Sequence, residues 1–167
     1  SYITKGTDGY YLACNAKFTT GNGYLMAISR AASTAMSRMQ CYLTSSRFFD
    51  NRADDNDGAS PVTLGYTPAL TLGQTYTLEV RLIADGVTAN PQTIWVNGVQ
   101  QVLTNPVATP FAQFPNTSPS SVSVFNSING VISFDGENGS DFIFHNSAPS
   151  DAIRNSVSAY LNAQRVA

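Results

Sequence analysis

Aromatic and amide side chains are the residues of this sequence best suited to ligand chemistry. The chain contains eight Tyr and one Trp, and the tryptophan, Trp95, stands two residues before Asn97. Trp95 is also out of phase with the apolar Ile94 and Val96, so it can face away from the core. A flat ring stacks on the C–H face of a pyranose while nearby amides and carboxylates bond its hydroxyls. The pattern favours carbohydrate binding.

Six residues form the predicted ligand-binding set. The set is Trp95, Asn97, Tyr11, Tyr42, Tyr66 and Arg81, with Asn15 and Gln40 as polar neighbours. A second interpretation of Trp95 is equally open, in which its ring packs under a loop or against the C-terminal helix. Exposure of the ring decides between the two.

The most acidic segment of the chain is a candidate calcium site. Residues 50–58 carry four aspartates, Asp50, Asp54, Asp55 and Asp57. Calcium prefers carboxylate and carbonyl oxygens. The segment fails the EF-hand pattern, because placing Gly58 at the glycine position puts Ala53 and Leu64 at the first and last ligand positions. The alternative is a solvated hairpin loop in which Asp and Asn tolerate turn geometry.

Catalytic groups are sparse. Glycosidases need two carboxylates held about 5 to 10 Å apart, yet the only glutamates are Glu79 and Glu137, and the residues around Gly136 are typical of a turn. His145 is the only histidine, and no Gly-x-Ser-x-Gly elbow is present. We therefore predict no enzymatic activity, with glycan hydrolysis as the weaker alternative, and expect His145 to be a polar residue on an outer strand face.

Length and composition favour one domain with a neutral polar surface. The 167 residues suit a single domain spanning 1–167. Only 12% of residues are charged, about half of the usual ~25%. The net charge of −2, with nine scattered Lys and Arg, provides no basic stripe for nucleic acid or an anionic membrane surface. Cys14 and Cys41 lie on apolar strand phases and are predicted to be buried free thiols, with a disulfide as the alternative.

The N-terminus and the hydropathy of the chain bear on its processing. No apolar run reaches the roughly 20 residues that span a bilayer, and the first residues lack the features of a signal peptide. The sequence starts at Ser1 without an initiator Met. We interpret it as a processed product or a domain of a longer polypeptide.

Alternating apolar residues predict an antiparallel β domain. The strands are predicted around 10–18, 24–29, 39–43, 74–82, 93–96, 99–102, 121–125, 130–134 and 141–145. Asn97-Gly98 predicts a type I′ hairpin, because both residues accept positive φ. Loops are predicted at 31–36 and, from its four prolines, at 105–119. A short helix follows Ser150, with Ile153, Val157, Tyr160, Leu161 and Gln164 on one predicted face.

Three motifs, in order, resemble the concanavalin A-like, laminin G-like jelly-roll superfamily. The first is the strand 74–82 followed by Thr93-Ile94-Trp95-Val96-Asn97-Gly98-Val99. The second is Gly130-Val131-Ile132-Ser133-Phe134-Asp135-Gly136. The third is Asp141-Phe142-Ile143-Phe144-His145 followed by the helix that ends in Tyr160-Leu161. The motifs cover roughly the last 95 residues, and Ile153 stands where the family usually has an acidic residue, which makes this chain a divergent member.

The resemblance implies an all-β, two-sheet antiparallel jelly-roll sandwich with a short C-terminal helix, and family functions that include sugar binding, adhesion and glycan hydrolysis. From it and the polar surface we predict a non-catalytic carbohydrate-recognition or adhesion module that binds a glycan or surface receptor, on a virion or extracellular. The rival hypothesis is a structural domain that docks other protein subunits or self-associates.

Overall fold

A computed structural model describes residues 9–29, 37–48, 52–53, 62–63, 65–106, 108, 110, 121–124, 136–145 and 147–165. These residues form eleven strands and one helix. In chain order they are β1 (Tyr10–Phe18), β2 (Gly23–Ser29), β3 (Ser37–Thr44), β4 (Arg47–Phe48), β5 (Arg52–Ala53), β6 (Val62–Thr63), β7 (Thr75–Leu82), β8 (Gln92–Val96), β9 (Val99–Gln100), β10 (Ser121–Val124), β11 (Gly136–His145) and α1 (Asp151–Gln164).

The strands pair into two antiparallel sheets. The five-stranded sheet has the order β11-β1-β7-β8-β9, and the six-stranded sheet has the order β10-β2-β3-β5-β6, with β4 also paired to β3. Every described pair is antiparallel. The predicted two-sheet sandwich with a C-terminal helix is therefore confirmed.

The main core lies between the two sheets. On β1, Leu12, Cys14 and Ala16 belong to this core, whereas Tyr11 and Ala13 form a second cluster with Leu161 of α1. Successive side chains of a strand point to opposite faces, so β1 is buried on both sides. The five-stranded sheet is thus covered by the six-stranded sheet on one face and by α1 on the other.

Both cysteines are free and fully buried, as predicted. Cys14 of β1 and Cys41 of β3 share the main core. Burial raises the pKa of Cys14 above its ordinary range and that of Cys41 to about 12, although a hydrogen bond with Tyr10 partly opposes the latter shift. The thiols are protonated at neutral pH and act as small apolar side chains.

The hairpin prediction is confirmed, and β11 is longer than predicted. Asn97 and Gly98 have φ of 54° and 78°, as a type I′ turn requires. The residues from Gly136 onward were predicted to turn, but they pair with Phe18, Lys17 and Ala16 at the end of β1. An irregularity between Cys14 and Ala16 lets the ladder continue. The predicted loop at 31–36, the predicted strand at 130–134 and most of the proline-rich loop lie outside the described residues.

Helix α1 begins as predicted but docks through a partly different face. Ser150 accepts a hydrogen bond from Ile153 N at the N-cap, and Asp151 lies in the first turn. The buried residues are Arg154, Ser158 and Leu161. Of the predicted face, Leu161 is buried and Val157 packs against its cluster, whereas Ile153 is 58% exposed and Tyr160 46%. The predicted face is therefore wrong at Ile153 and Tyr160, because the sheet beneath the helix presents polar partners to Arg154 and Ser158. Among the described residues no helix is long and apolar enough to cross a bilayer.

The raised thiol pKa values predict that stability falls at alkaline pH. In the unfolded chain a thiol ionises near its ordinary pKa of about 8.5, whereas in the folded chain it stays protonated. The stabilisation is therefore complete below that pKa and is lost as pH rises above it. Between pH 7.5 and pH 9.5 the free energy of unfolding should drop by about 1 kcal/mol per thiol.

Urea unfolding under reducing conditions measures this drop. The Cys14→Ala/Cys41→Ala variant is the control, since the remaining titratable groups are common to both proteins. An equal drop in the variant would contradict the assignment to the thiols.

Candidate functional site

Four residues of the predicted ligand-binding set come together on the outer face of the five-stranded sheet. Tyr11 of β1, Arg81 of β7 and Trp95 of β8 point to the side that α1 covers, and Asn97 lies in the adjacent turn. Tyr42 and Tyr66, the other two residues of the set, lie elsewhere, Tyr42 on β3 of the six-stranded sheet. The surroundings of the four residues determine whether a ligand could reach them.

Trp95 is buried beneath α1. The Cζ atom of Arg154 lies 4.4 Å from the centre of its ring, and that of Arg81 lies 5.2 Å away. The ring is 5% exposed. Of the two interpretations of Trp95, packing against the C-terminal helix is the one observed. The ring faces away from the main core, but cations rather than solvent lie over it.

Glu79 lies at the centre of this layer. Its Oε2 accepts a hydrogen bond from Tyr11 OH at 2.7 Å and one from Arg154 Nη1 at 3.1 Å. Glu79 is 0% exposed and Tyr11 1%. Burial, reinforced by the Glu79 charge, raises the pKa of the Tyr11 hydroxyl far above its ordinary value. Tyr11 therefore serves as a hydrogen-bond donor to Glu79 rather than as a stacking platform.

The side-chain amides of Asn15 and Asn97 make further hydrogen bonds in and beside the layer between the helix and the sheet. Asn15 Nδ2 donates to Leu161 O at 2.8 Å, and Thr77 Oγ1 donates to Asn15 Oδ1 at 2.7 Å. Asn97 Oδ1 accepts from Thr77 N at 2.9 Å. Two predicted ligand contacts, Asn15 and Asn97, thus use these side-chain groups within the protein.

The ion pair between Arg81 and Asp151 contributes little to the packing of α1 on the sheet. Its Nη1 lies 2.5 Å from Asp151 Oδ1, but the Asp151 side chain is 76% exposed. Ion pairs with an exposed member typically contribute about 0–1 kcal/mol. The buried pair Arg154–Glu79 is the stronger constraint on the position of α1.

Removing Arg154 should destabilise the protein strongly. Breaking a buried ion pair leaves an uncompensated charge and costs about 3–5 kcal/mol. We expect Arg154→Ala to lower the free energy of unfolding by that amount in urea titrations. Ile153→Ala, at the exposed neighbouring position, is the matched control and should change it by no more than about 0.5 kcal/mol. Similar effects of both variants would contradict a special role for the pair.

An open cleft lies on the six-stranded sheet. It is lined by Thr44, Ser45, Arg47 and Tyr66, with a volume of about 160 Å³. Thr44 pairs with Arg47 across the β3–β4 hairpin. Of the predicted ligand-binding set, Tyr66 lies here.

Arg47 and Tyr66 form the chemical centre of the cleft. The Arg47 Cζ lies 5.4 Å from the centre of the Tyr66 ring, and Arg47 Nη1 donates to Tyr66 OH at 3.3 Å. Arg47 is exposed and Tyr66 is half-buried. Arg47 has no carboxylate partner among the residues that the structure describes. An accessible ring, a guanidinium group and two hydroxyl-bearing residues therefore converge at one place.

The loop that joins β3 to β4 is conformationally strained. Ser45 and Ser46 have φ of 49° and 58°, in the left-handed region that costs an L-residue roughly 1–2 kcal/mol. Contacts with neighbouring segments support the turn: Ser46 N donates to Gly21 O at 3.1 Å, and Leu70 N donates to Ser46 O at 2.8 Å. Such strained residues cluster at ligand-binding sites.

A second segment positions Tyr66. Its backbone N donates to Thr104 O at 3.2 Å and its O accepts from Thr104 N at 2.8 Å. The preceding Gly65 has φ of 121°, and a Cβ there would lie 3.3 Å from Pro106 Cα. Only glycine suits this backbone. The ring is therefore held by a fixed main chain.

Tyr42 lies on the same face of the sheet as Thr44, because residues two apart on a strand share a face. Its ring stacks on that of Tyr24, with centroids 4.9 Å apart. Both are buried, at 7% and 8% exposure. Tyr42 therefore lies near one lining residue of the cleft but does not offer the open ring that was predicted.

The remaining predicted groups give no further site. The calcium candidates Asp50, Asp54, Asp55 and Asp57, and the Gln40 side chain, lie outside the described residues. Within the described part of the chain no three His, Cys, Asp or Glu residues are grouped for a metal. His145 is exposed, and its Nδ1 contacts Ser147 at 3.0 Å from Oγ and 3.1 Å from O, which is a local turn contact.

Sequence reasoning missed Arg47, Thr44 and Ser45. The available signal was two polar residues, Ser45-Ser46, between the β-prone pairs Leu43-Thr44 and Arg47-Phe48. That spacing is typical of a two-residue hairpin loop. The contact between Arg47 and Tyr66 depends on segments 19 residues apart, which no local pattern reveals.

Relieving the turn strain should stabilise the protein. Ser46→Gly places glycine at a position of positive φ, and we expect the free energy of unfolding to rise by up to about 1 kcal/mol. Ser156→Gly, in the exposed interior of α1, is the matched control and should lower it by roughly 0.5–1 kcal/mol. Chemical denaturation measures both, and a loss with Ser46→Gly would refute the strain.

Comparison with solved structures finds the same architecture in several carbohydrate-related proteins. No protein-family model and no curated protein matches the sequence. The CBM40 domain of the Ruminococcus gnavus IT-sialidase bound to α2,3-sialyllactose is 14% identical, with a TM-score of 0.63 and 95% of each chain covered.

Two other matches come from larger chains. The SAP-like pentraxin of Limulus polyphemus is 17% identical with a TM-score of 0.58, covering 96% of this chain and 73% of that one. The NanB sialidase of Streptococcus pneumoniae is 16% identical with a TM-score of 0.61, covering 91% of this chain and 24% of that one. At these identities the likeness shows the fold alone, which is a jelly-roll sandwich.

Proposed function

We propose that this chain is a non-catalytic carbohydrate-recognition or adhesion module that binds its ligand in the Arg47–Tyr66 cleft. The observation that carries the proposal is the accessible Tyr66 ring beside an exposed guanidinium group and the Thr44 and Ser45 side chains. Tyr66 belongs to the set predicted from sequence. The cleft replaces Trp95, Tyr11 and Tyr42 as the proposed platform, because those rings are buried.

The chemistry of the cleft suits a sugar. A pyranose presents C–H groups that pack on an aromatic ring and hydroxyls that need hydrogen-bond partners. Tyr66 provides the ring, Arg47 provides donors, and the Thr44 and Ser45 hydroxyls both donate and accept. The fixed main chain on either side of Tyr66 reduces the entropy lost when a ligand binds.

The solved neighbours support the proposal in a general way. CBM40 domains with this architecture have been solved bound to α2,3- and α2,6-sialyllactose. The support concerns the kind of protein that uses this fold and not the position of the site.

The burial and ion pairing of the Glu79 carboxylate support a non-catalytic role. Most glycosidases use two carboxylates that reach the scissile bond, and Glu79 is buried under α1 in an ion pair. Its carboxylate contributes to docking the helix, and it faces away from the cleft's sheet. A location on a cell surface or virion is part of the proposal and rests on the neutral polar surface.

Replacing Tyr66 should abolish sugar binding. We expect the full chain to bind selected sugars on a glycan array, and Tyr66→Ala to weaken that binding at least tenfold, because stacking and the Arg47 hydrogen bond are both lost. Tyr160→Ala is the matched control, since Tyr160 is exposed on α1. Equal loss in both variants, or no selective binding by the wild-type chain, would refute the proposal.

The same array tests the calcium hypothesis. It is run with calcium and again with a chelator, using an Asp54→Asn/Asp55→Asn variant alongside. Loss of binding in chelator and in that variant would support a metal in the 50–58 segment. Unchanged binding would remove calcium from the proposal.

Self-association is the second candidate function. The edge strand β9 and the residues after it expose Val99 at 64% and Val102 at 87%. Exposed apolar residues beside an unpaired strand edge favour contact with a second copy of the chain. Sedimentation of the wild-type chain and of the Val99→Ser/Val102→Ser variant tests this candidate. A dimeric wild-type chain and a monomeric variant would support self-association, and a monomeric wild-type chain would contradict it.

A further inference from the structure

The Arg47 guanidinium lies over the aromatic face that a sugar would use. Its Cζ is 5.4 Å from the centre of the Tyr66 ring, and the hydrogen bond to Tyr66 OH holds it there. A cation over an exposed ring gains about 0.5–1 kcal/mol. Tyr66 is half-buried, and one face of its ring already has the guanidinium group as a partner.

Neutral and anionic ligands would interact differently with this Arg47–Tyr66 pair. A neutral pyranose that stacks on the covered face must displace the guanidinium group and forfeit its interaction with the ring. An anionic ligand instead engages the guanidinium where it lies, through charge-assisted hydrogen bonds that are roughly twice as strong as neutral ones. Arg47 has five N–H donors, and within the described part of the chain its side chain bonds only Tyr66, so donors are left there to meet an oxyanion.

Resting on the proposed carbohydrate function, we infer that the cleft selects a sugar residue that carries a carboxylate or a sulfate, and that Arg47 determines this selectivity. The oxyanion binds the guanidinium group, and the sugar ring packs beside Tyr66. Thr44 and Ser45 bond the sugar hydroxyls or the remaining anion oxygens.

Two further observations support the inference. Among the residues that the structure describes, no acidic side chain pairs with Arg47, so none of these residues competes with an anionic ligand for the guanidinium group. The volume of about 160 Å³ is well below the roughly 300–1,000 Å³ of clefts that take larger ligands. The cleft therefore suits a single charged residue at the end of a glycan.

Paired acidic and neutral sugars test the inference. NMR titrations of the full chain use glucuronic acid against glucose for the carboxylate, and galactose 6-sulfate against galactose for the sulfate. Each pair differs by its charged group, and binding to only one acidic member identifies which anion the cleft takes. Amide spectra of every variant confirm that it is folded.

The Arg47→Gln variant carries the decisive comparison. We expect the wild-type chain to prefer an acidic sugar over its neutral partner at least tenfold. Arg47→Gln should lose about tenfold or more of its affinity for the acidic sugar, the scale of a hydrogen bond to a charged group, and with it most of the preference for the acidic sugar over its neutral partner. Arg165→Gln, which removes the same charge at the end of α1, should leave the preference unchanged.

Each outcome has one meaning. Sugar binding without a preference for the acidic members, or an unchanged preference in Arg47→Gln, overturns the inference and leaves the carbohydrate function standing. A preference lost equally in Arg165→Gln indicates net charge alone and also overturns it. Failure of the wild-type chain to bind any of the four probes or any glycan on the array overturns both proposals.

Discussion

The buried Glu79 carboxylate is the constraint around which one half of the molecule is organised. A charge with no exposure to water is tolerated only with partners that compensate for its lost hydration. Tyr11 from the neighbouring strand and Arg154 from α1 supply them. The helix must therefore dock in one rotation, with Arg154 inward, and this rotation turns Ile153 out to solvent. Trp95 is covered as a consequence.

Alternation of apolar residues predicted the long strands well, because in a two-layer sandwich successive side chains of a strand point to different faces and are buried to different extents. Helical periodicity placed Leu161 and Val157 of α1 correctly against the sheet but was wrong for Ile153 and Tyr160. It assumes that a helix buries apolar residues, whereas here Arg154 and Ser158 are buried against Glu79 and the β8–β9 turn. The extension of β11 back to Gly136 also escaped detection. Glycines at its start suggest a turn locally, and only pairing with the end of β1 makes them a strand.

The candidate site was predicted only in part, for a related reason. The phase of Trp95 correctly placed its ring away from the main core, but phase does not indicate whether another element covers a face. Tyr66 was predicted only as one of several candidate aromatic rings, and the guanidinium group beside it comes from a hairpin 19 residues away in the chain. A site assembled from separate loops is specified by their mutual positions, which single-segment patterns do not contain.

The cleft is built from the loop between β3 and β4 and the segment around Tyr66, whereas the ionic layer that fixes α1 belongs to the other sheet. No described contact links the two. Substitutions in the cleft can therefore accumulate without loosening the scaffold, and the scaffold can be strengthened without reshaping the cleft. Changes to the chemistry of Arg47 or Tyr66 are therefore expected to leave the docking of α1 intact.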